Sequence, residues 1–365
     1  MGKIEIRLAK ESDNSEITNL SKRCLQEGII TLFINRSPKF NSLHRILDSE
    51  AWHYVACSDD RIVGLVGVIH FNARVAGTDM KVGYMLDLRL DHNYRRGTTA
   101  FRLVRAAVDH IHKSGVKLVI VNFLKDNRQP LVFTSGRAGL PQSFHMGDNN
   151  VFNILPLFKM KLNKRFTIEV PSESDIPEIV SLYRSYAGRY DIAPVITEDH
   201  FRRITSTVDG LSLNNFIVAK EDGKIKAVTA AWDEHTYKSY QVVRLNTTIK
   251  VVTKSLKFLS LFMKTPRHIR LNEPLRQLSL VYYAHDGTPE ALDTLFRHVN
   301  NSHRGGNYTL IMYYAPQSDP MFRYMKKFTG VAVKSEMHLF AKDPAFYDLL
   351  KKGEKGALFD LSMLL

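Results

Sequence analysis

The chain has 365 residues, 44% apolar and 24% charged, which predicts a globular protein of about two domains with room for two cores. No apolar run approaches the ~20 residues that span a bilayer, the charged start Met1-Gly2-Lys3-Ile4-Glu5 is unlike a secretory leader, and Ile6 stands where a myristoylation signal needs Ser or Thr. Cys24 and Cys57 are the only cysteines, which excludes a disulfide framework and predicts a reducing, cytoplasmic setting.

Residues 4–8 alternate as a strand. Ser12 or Asp13 then caps a helix, with Glu16 placed as the returning acid of a capping box. Residues 52–57 read as a strand, Asp59-Asp60-Arg61 as a turn and 62–71 as the returning strand. Residues 81–90 are a further strand. A helix over 98–113 places Phe101, Val104, Ala107, Val108 and Ile111 on one face; Gly115 ends it, and 117–123 is an apolar strand. A helix between two strands close in sequence predicts a right-handed crossover and a parallel pair.

The second half repeats this order, with a strand over 166–170, a helix over 176–186 and a hairpin over 215–233 that turns at Glu221-Asp222-Gly223. A strand over 278–284, a helix over 289–299 and a strand over 308–314 follow, with Gly305-Gly306 as the break before the last. The repetition is legible in the residues themselves. The segment Glu11-Ser12-Asp13-Asn14-Ser15-Glu16-Ile17 lines up with Glu173-Ser174-Asp175-Ile176-Pro177-Glu178-Ile179 at an offset of 162, and the same offset pairs Tyr54-Val55-Ala56-Cys57 with Phe216-Ile217-Val218-Ala219. Two units are therefore expected, residues 1–163 and 164–365, joined near 162–165. Their main asymmetry is an insertion over 234–275.

The net charge of +14 is spread over both halves and favours anionic partners. The chemistry concentrates in Leu88-Arg89-Leu90-Asp91-His92-Asn93-Tyr94-Arg95-Arg96-Gly97-Thr98-Thr99-Ala100, where a strand ends, a basic loop follows and a helix begins. Free backbone N–H groups and the helix dipole make such a start an anion site. Arg95 and Arg96 can fork onto a pyrophosphate, and Thr98 and Thr99 are good cap residues with hydroxyls to donate. The corresponding turn in the second half is Ala284-His285-Asp286-Gly287-Thr288-Pro289-Glu290. There Asp286 answers Arg95, Glu290 answers Thr99, and Pro289 lacks an N–H, so a diphosphate is expected to bind only the first unit.

This loop and the order of elements resemble the GNAT superfamily of acyl-coenzyme A N-acyltransferases, over nearly the whole chain. Tyr94-Arg95-Arg96-Gly97-Thr98-Thr99-Ala100 resembles the family's arginine-x-x-glycine-x-glycine-or-alanine turn, with Thr98 in place of its middle glycine. The hairpin Asp60-Arg61-Ile62-Val63-Gly64-Leu65-Val66-Gly67 is similar to the family's second and third strands. The resemblance implies an α+β fold of three-layer type: two tandem GNAT-like units, each a mixed, mostly antiparallel sheet with a splayed parallel pair and flanking helices.

It further implies transfer of an acyl group, acetyl or longer, from acetyl-CoA or a longer acyl-CoA to a primary amine of a small molecule or peptide. By the same resemblance the backbone of Leu88 and Leu90, around Arg89, pairs with pantetheine. The amides of Arg96, Gly97, Thr98, Thr99 and Ala100, with Arg95, hold the pyrophosphate. Asn127 matches a common coenzyme A contact. Asp87 is the expected base, on the expectation that burial raises its pKa. The family's tyrosine acid is replaced by Thr134, which leaves Tyr84 as a substitute acid or a packing residue. The alternative is a non-catalytic acyl-CoA-binding or sensing module.

The 14 histidines show no ligand spacing that demands a metal, and none is expected. No recognition helix or stacking platform accompanies the charge, so nucleic acid is not an expected partner. From Arg244 to Asn272 there are seven Lys and Arg and no acid, with Lys250, Lys254, Lys257 and Lys264 on one side of a helical wheel and Val252, Leu256, Leu259 and Met263 on the other. Two readings of 250–264 stand: a basic amphipathic helix for peripheral membrane or lipid contact, or a helix docked on the second core with a solvated lysine face.

Overall fold

The computed structural model describes residues 3–47, 51–59, 61–125, 127, 129–137, 140–351 and 356–358. The first half contributes β1 (Ile4–Leu8), α1 (Asn14–Arg23), β2 (Ile30–Arg36), α2 (Ser42–Leu47), β3 (Trp52–Ser58), β4 (Arg61–Val75), β5 (Thr78–Leu90), α3 (Thr99–Lys113), β6 (Leu118–Leu124) and β7 (Phe144–Ile154). The second contributes β8 (Thr167–Glu169), α4 (Ile176–Ala187), β9 (Ile192–Pro194), α5 (Glu198–Thr207), β10 (Phe216–Glu221), β11 (Lys224–Trp232), β12 (Lys238–Leu245), α6 (Thr247–Leu259) and β13 (Pro274–Leu275). It ends with β14 (Gln277–His285), α7 (Pro289–Ser302), β15 (Leu310–Pro316), α8 (Phe322–Met325), β16 (Gly330–Ala341) and α9 (Ala345–Lys351).

Both halves open on the same device. The Asp13 carboxylate accepts from the Lys10 amide at 2.7 Å, and Asp175 accepts from the Ser172 amide at 2.7 Å, each closing a 3-10 turn that feeds α1 or α4. Asp13 holds the cap position of α1 without a side-chain cap bond there, and as the third residue of the preceding turn it, not Glu16, is the returning acid. Arg7 holds it from β1 through two bonds at 2.7 and 2.9 Å. The hairpin β4–β5 runs longer than its apolar core predicts. Ala76 and Gly77 at φ 48° and 86° give its two-residue turn the left-handed pair that matches strand twist. Asp60, in the preceding predicted turn, lies outside the described residues.

The fold is α+β, as expected: a mixed sheet with helices on its faces. Thirteen strands run in the order β1-β3-β4-β5-β6-β16-β7-β15-β14-β11-β10-β8, with β9 attached beside β4. Among the named strands of the described residues only β5·β6 and β14·β15 pair in parallel, one in each half. A smaller sheet, β13-β12-β2, joins the insertion of the second half to the first half. One core on the α4 side draws Tyr84 and Ile120 from the first half and Ile179, Trp232, Leu280 and Phe296 from the second. Helix α3 covers the other face, with Leu103, Val104, Ala107 and Ile111 over Val119 and Val121. No helix of the described residues is long and apolar enough to cross a membrane.

The last strand of each half crosses to the other half. β16 pairs with β6, from Ser335↔Leu124 to Ala341↔Leu118, and β7 pairs with β15, from Ile311↔Ile154 to Pro316↔Asn149. The exchanged strands also pair with each other, antiparallel, from Gly330↔Ile154 to Leu339↔Phe144. The sheet thus passes without a break from one unit to the other. At Gly330 a side chain would bring its Cβ to 2.1 Å from the Asn153 carbonyl oxygen. Gly330→Ala is expected to destabilise the chain by about 2–3 kcal/mol, read as a lower midpoint in urea unfolding.

Candidate functional site

β5 and β6 pair over only three positions, from Gly83↔Val119 to Met85↔Val121, and then part. β5 stays bonded to β4 beyond that point, and β6 stays bonded to β16, so the two walls of the opening are each held from behind. On β5 the ladder to β4 slips between Leu65↔Arg89 and Gly67↔Leu86, so that Asp87 and Leu88 together face Val66. This is a β-bulge, and Asp87 sits in it at φ 53°. A non-glycine residue there is unusual and points to a built feature. Asn122, the first residue of β6 past the last pair, carries a buried side-chain amide with no hydrogen-bond partner among the described residues.

The loop after β5 is organised by Asp91, which is 1% exposed. Its carboxylate accepts from Arg23 Nε and Arg61 Nη2 at 3.0 Å each and from the Asn93 amide at 3.2 Å. Arg95 folds back onto the Leu90 carbonyl at 3.2 Å, while Arg96, Gly97 and Thr98 are exposed. Gly97 takes φ 114°, a backbone shape that favours glycine. Thr98 caps α3 by position without a side-chain bond, and the first helical bond is Arg102 N–H to the Thr98 carbonyl at 2.9 Å. The amides of Gly97 to Ala100 have no intramolecular partner among the described residues. Leu88 and Leu90 are half-buried beside Ala100 and Tyr94. The predicted loop residues are thus one continuous structure at the end of the opening.

The second half repeats the backbone and closes it. β14 and β15 pair from Gln277↔Leu310 to Leu280↔Tyr313 and then part, with a bulge at Tyr282, φ 49°. There the Tyr283 hydroxyl donates to the Tyr314 carbonyl at 2.6 Å, across the gap. Both tyrosines are buried. The turn that follows is satisfied from within: the Gly287 amide donates to His285 Nδ1 at 3.2 Å and the Thr288 amide to Asp286 at 3.1 Å. Asp286 also pairs with Lys226 at 3.0 Å, and Glu290 accepts from the Tyr324 hydroxyl.

The structure reverses the electrostatics expected of Asp87. Burial alone would push its pKa up, but Arg36 at 2.8 Å and Arg89 at 2.9 Å outweigh it and hold the carboxyl well below its usual range. Arg36 arrives on β2, a strand that the apolar pattern does not flag. Behind it His44 Nδ1 lies 2.9 Å from His53 Nε2. Burial lowers both rings, His53 to about 3, so the pair is neutral. Tyr84 is buried on the α4 side of the sheet, and burial, then the Asp87 charge, raises its pKa. It is held as a neutral phenol. Asn127 is exposed, and its amide donates to the Leu124 carbonyl at 2.9 Å; Thr134 lies just past a 3-10 turn (Gln129–Phe133), its hydroxyl on the Leu131 carbonyl at 2.8 Å. Asp87, Arg36 and Arg89 line a small cleft with Thr18, Ser21 and Phe40.

Comparison with known proteins agrees with this geometry. Residues 5–122 match the acetyltransferase (GNAT) domain family. No curated protein matches the chain in sequence. A structure of Saccharomyces cerevisiae N-myristoyltransferase with bound myristoyl-CoA is similar at a TM-score of 0.63 and 14% identity, covering 98% of this chain and 90% of that one. A probable N-acyltransferase from Enterococcus faecalis V583 is similar at a TM-score of 0.51 and 11% identity, covering 92% of this chain and 72% of its own. A GCN5-related N-acetyltransferase from Anabaena variabilis reaches 0.52 at 10% identity, with the same coverage of 92% and 72%. Residues 5–122 thus carry the match to the acetyltransferase (GNAT) domain family, and the chain as a whole has the fold of the GNAT-type N-acyltransferases.

Proposed function

We propose that this protein is an acyl-coenzyme A-dependent N-acyltransferase whose donor binds the first unit only. The observation that carries the reading is the contrast between two copies of one backbone. The first opening has free amides, two arginines at its mouth and an unpartnered Asn122. The second is bridged by Tyr283 and has its amides occupied. In this reading the pyrophosphate lies on Arg96, Gly97, Thr98, Thr99 and Ala100 with Arg95 beside it, and pantetheine pairs with Leu88 and Leu90 along the strand past Arg89. Asn127 borders the same entrance. The bulge leaves a backbone N–H to polarise the thioester carbonyl. A neutral amine attacks that carbon, the C–S bond breaks, and coenzyme A leaves as a thiolate. Holding the two reactants together supplies much of the rate.

Proton transfer departs from the sequence expectation. A carboxylate clamped by two guanidinium groups is a weak base, so we assign Asp87 the task of fixing the bulge and the Arg36–Arg89 pair. Tyr84 stays protonated, which suits a donor better than an acceptor. A non-catalytic acyl-CoA sensor is the second reading, favoured by Thr134 in the tyrosine's place.

Helix α6 matches the amphipathic pattern read from the sequence only in part. Leu256 is buried, but Val252 and Leu259 are 42% and 37% exposed, and Val251, Phe258 and Phe262 face outward at 57%, 63% and 74%. We propose that this apolar stripe, beside Lys250, Lys254 and Lys257, makes peripheral contact with anionic lipid.

Five outcomes test these readings. Acyl-CoA thioesters from acetyl to myristoyl are expected to raise the melting temperature, and Arg95→Ala with Arg96→Ala to abolish the rise; no rise with any thioester would overturn both donor-binding readings. Thiol release on adding an amine library separates enzyme from sensor. For the enzyme, turnover should climb with pH as the acceptor amine deprotonates, with no inflection from Asp87 above about pH 4. Asp87 adds stability above its unfolded pKa that is lost as pH falls through the lower folded value. Asp87→Asn removes the carboxylate charge that two buried guanidinium groups share and should cost about 3–5 kcal/mol in denaturant unfolding. Phe258→Ser with Phe262→Ser should cut binding to phosphatidylserine vesicles severalfold in a sedimentation assay.

A further inference from the structure

The centre of the sheet carries a second constellation, on the α3 face and one strand beyond the opening. β16 places Glu336 and His338 two residues apart, hence on one face. On β7 the partners are Asp148, opposite Glu336, and His145, opposite His338. Residues three apart on a strand ordinarily face opposite sides. Here the register slips between Met337 and His338, so β7 holds one extra residue, and Gly147 at φ 137° absorbs the bend. The slip returns His145 and Asp148 to the same face.

The result is a cluster of two imidazoles and two carboxylates. Glu336 Oε2 lies 3.6 Å from His338 Nε2 and 3.9 Å from His145 Nε2, and Asp148 Oδ1 lies 3.3 Å from His145 Nε2. The ligand atoms of His145, Glu336 and His338 all fall within 4.8 Å of one another. Tetrahedral zinc ligands at a bond length of ~2.1 Å stand about 3.4 Å apart. The contacts at 3.3, 3.6 and 3.9 Å are near that spacing, and Asp148, which adjoins His145, completes the shell by side-chain movement.

His338 is the independent observation. It is 7% exposed, its ring stacks on Phe123 with centroids 4.9 Å apart, and its Nε2 has no hydrogen-bond partner among the described residues. The Ser143 hydroxyl donates to the Thr134 carbonyl at 3.4 Å and lies 2.9 Å from His338 Nδ1. With its proton committed to that carbonyl, Oγ accepts from Nδ1–H, which leaves the Nε2 lone pair aimed into the cluster. An imidazole oriented through its far nitrogen is the usual support of a metal ligand.

We propose that His145, Glu336 and His338 bind one divalent transition-metal ion, zinc in the first instance, with Asp148 Oδ1 as the fourth ligand. Asp148 Oδ2 keeps its ion pair with Lys125 at 2.5 Å. Mixed imidazole and carboxylate donors suit zinc and its neighbours better than magnesium or calcium. Two ligands come from each half, so the ion clips the exchanged strands together.

The test uses the full chain stripped with chelator and titrated with Zn²⁺ by calorimetry and with Co²⁺ by visible absorption. One ion per chain is expected, with the intense bands of four-coordinate cobalt and a melting temperature that rises with Zn²⁺. His145 is exposed, so His145→Ala should fold normally; it and Glu336→Gln should each weaken binding at least tenfold and remove the cobalt bands. Ser143→Ala should weaken binding about tenfold while the bands persist. No heat and no bands, or an affinity unchanged by His145→Ala, would overturn the proposal.

Discussion

The antiparallel pairing of β7 with β16 is the contact on which the rest depends. Each strand closes the sheet of the half it does not belong to, and each bonds to the other. A one-residue slip in that ladder would move every side chain to the opposite face. The register is pinned at one end by the close approach of Gly330 to Asn153 and at the other by the bulge near His338. Because β16 backs β6, the far wall of the opening between β5 and β6 is built from the second half of the chain. The near wall, β5, is backed by β4 of the first half. An opening in a sheet persists only if both edges have their remaining backbone groups satisfied elsewhere, and the exchange does this twice.

One backbone therefore serves two ends. Both copies part at the same point of a parallel pair and both carry a bulge with a left-handed residue, Asp87 or Tyr282. The difference lies in side chains. In the second copy a tyrosine hydroxyl spans the gap to Tyr314, and aromatic rings pack the space, with Tyr283 and Tyr313 at 4.8 Å. That copy behaves as core. In the first copy a half-buried Leu88 and the amide of Asn122 leave the gap unbridged. The loops follow the same logic. Asp286 and His285 turn inward to occupy amides of their own turn, whereas the amides after Arg96 face outward beneath a positive mouth.

Asp87 links the two sheets. Arg36 comes from β2 in the small sheet, Arg89 from the same strand as Asp87, and all three side chains are at most 10% exposed. Burying an ion pair is costly, and it is tolerated where several hydrogen bonds are made at once. Here the ions fix a strained residue at φ 53° and tie β2, which is paired to the insertion of the second half, to the bulge of the first. The neutral histidine pair His44–His53 extends the same polar seam inward without adding charge. A carboxylate in this setting is better suited to holding shape than to exchanging protons.

The sequence by itself determined the repeated order of elements, the two parallel pairs and the strand-loop-helix start after β5, because these rest on local periodicity and on turn chemistry within a few residues. It also marked the second loop as unfit, since Asp286, Pro289 and Glu290 carry their chemistry wherever they stand. Only the tertiary structure decided the rest. The capping role of Asp13 depends on where the turn places its backbone. The exchange of β7 and β16 depends on pairing between strands nearly two hundred residues apart, which no window along the chain can register. The depressed pKa of Asp87 needs Arg36 from a distant strand, and the His145, Glu336 and His338 cluster needs a one-residue bulge. Charge and coordination act through space over a few ångströms, so their sign and fit are set by which strands meet, not by which residues are neighbours in the chain.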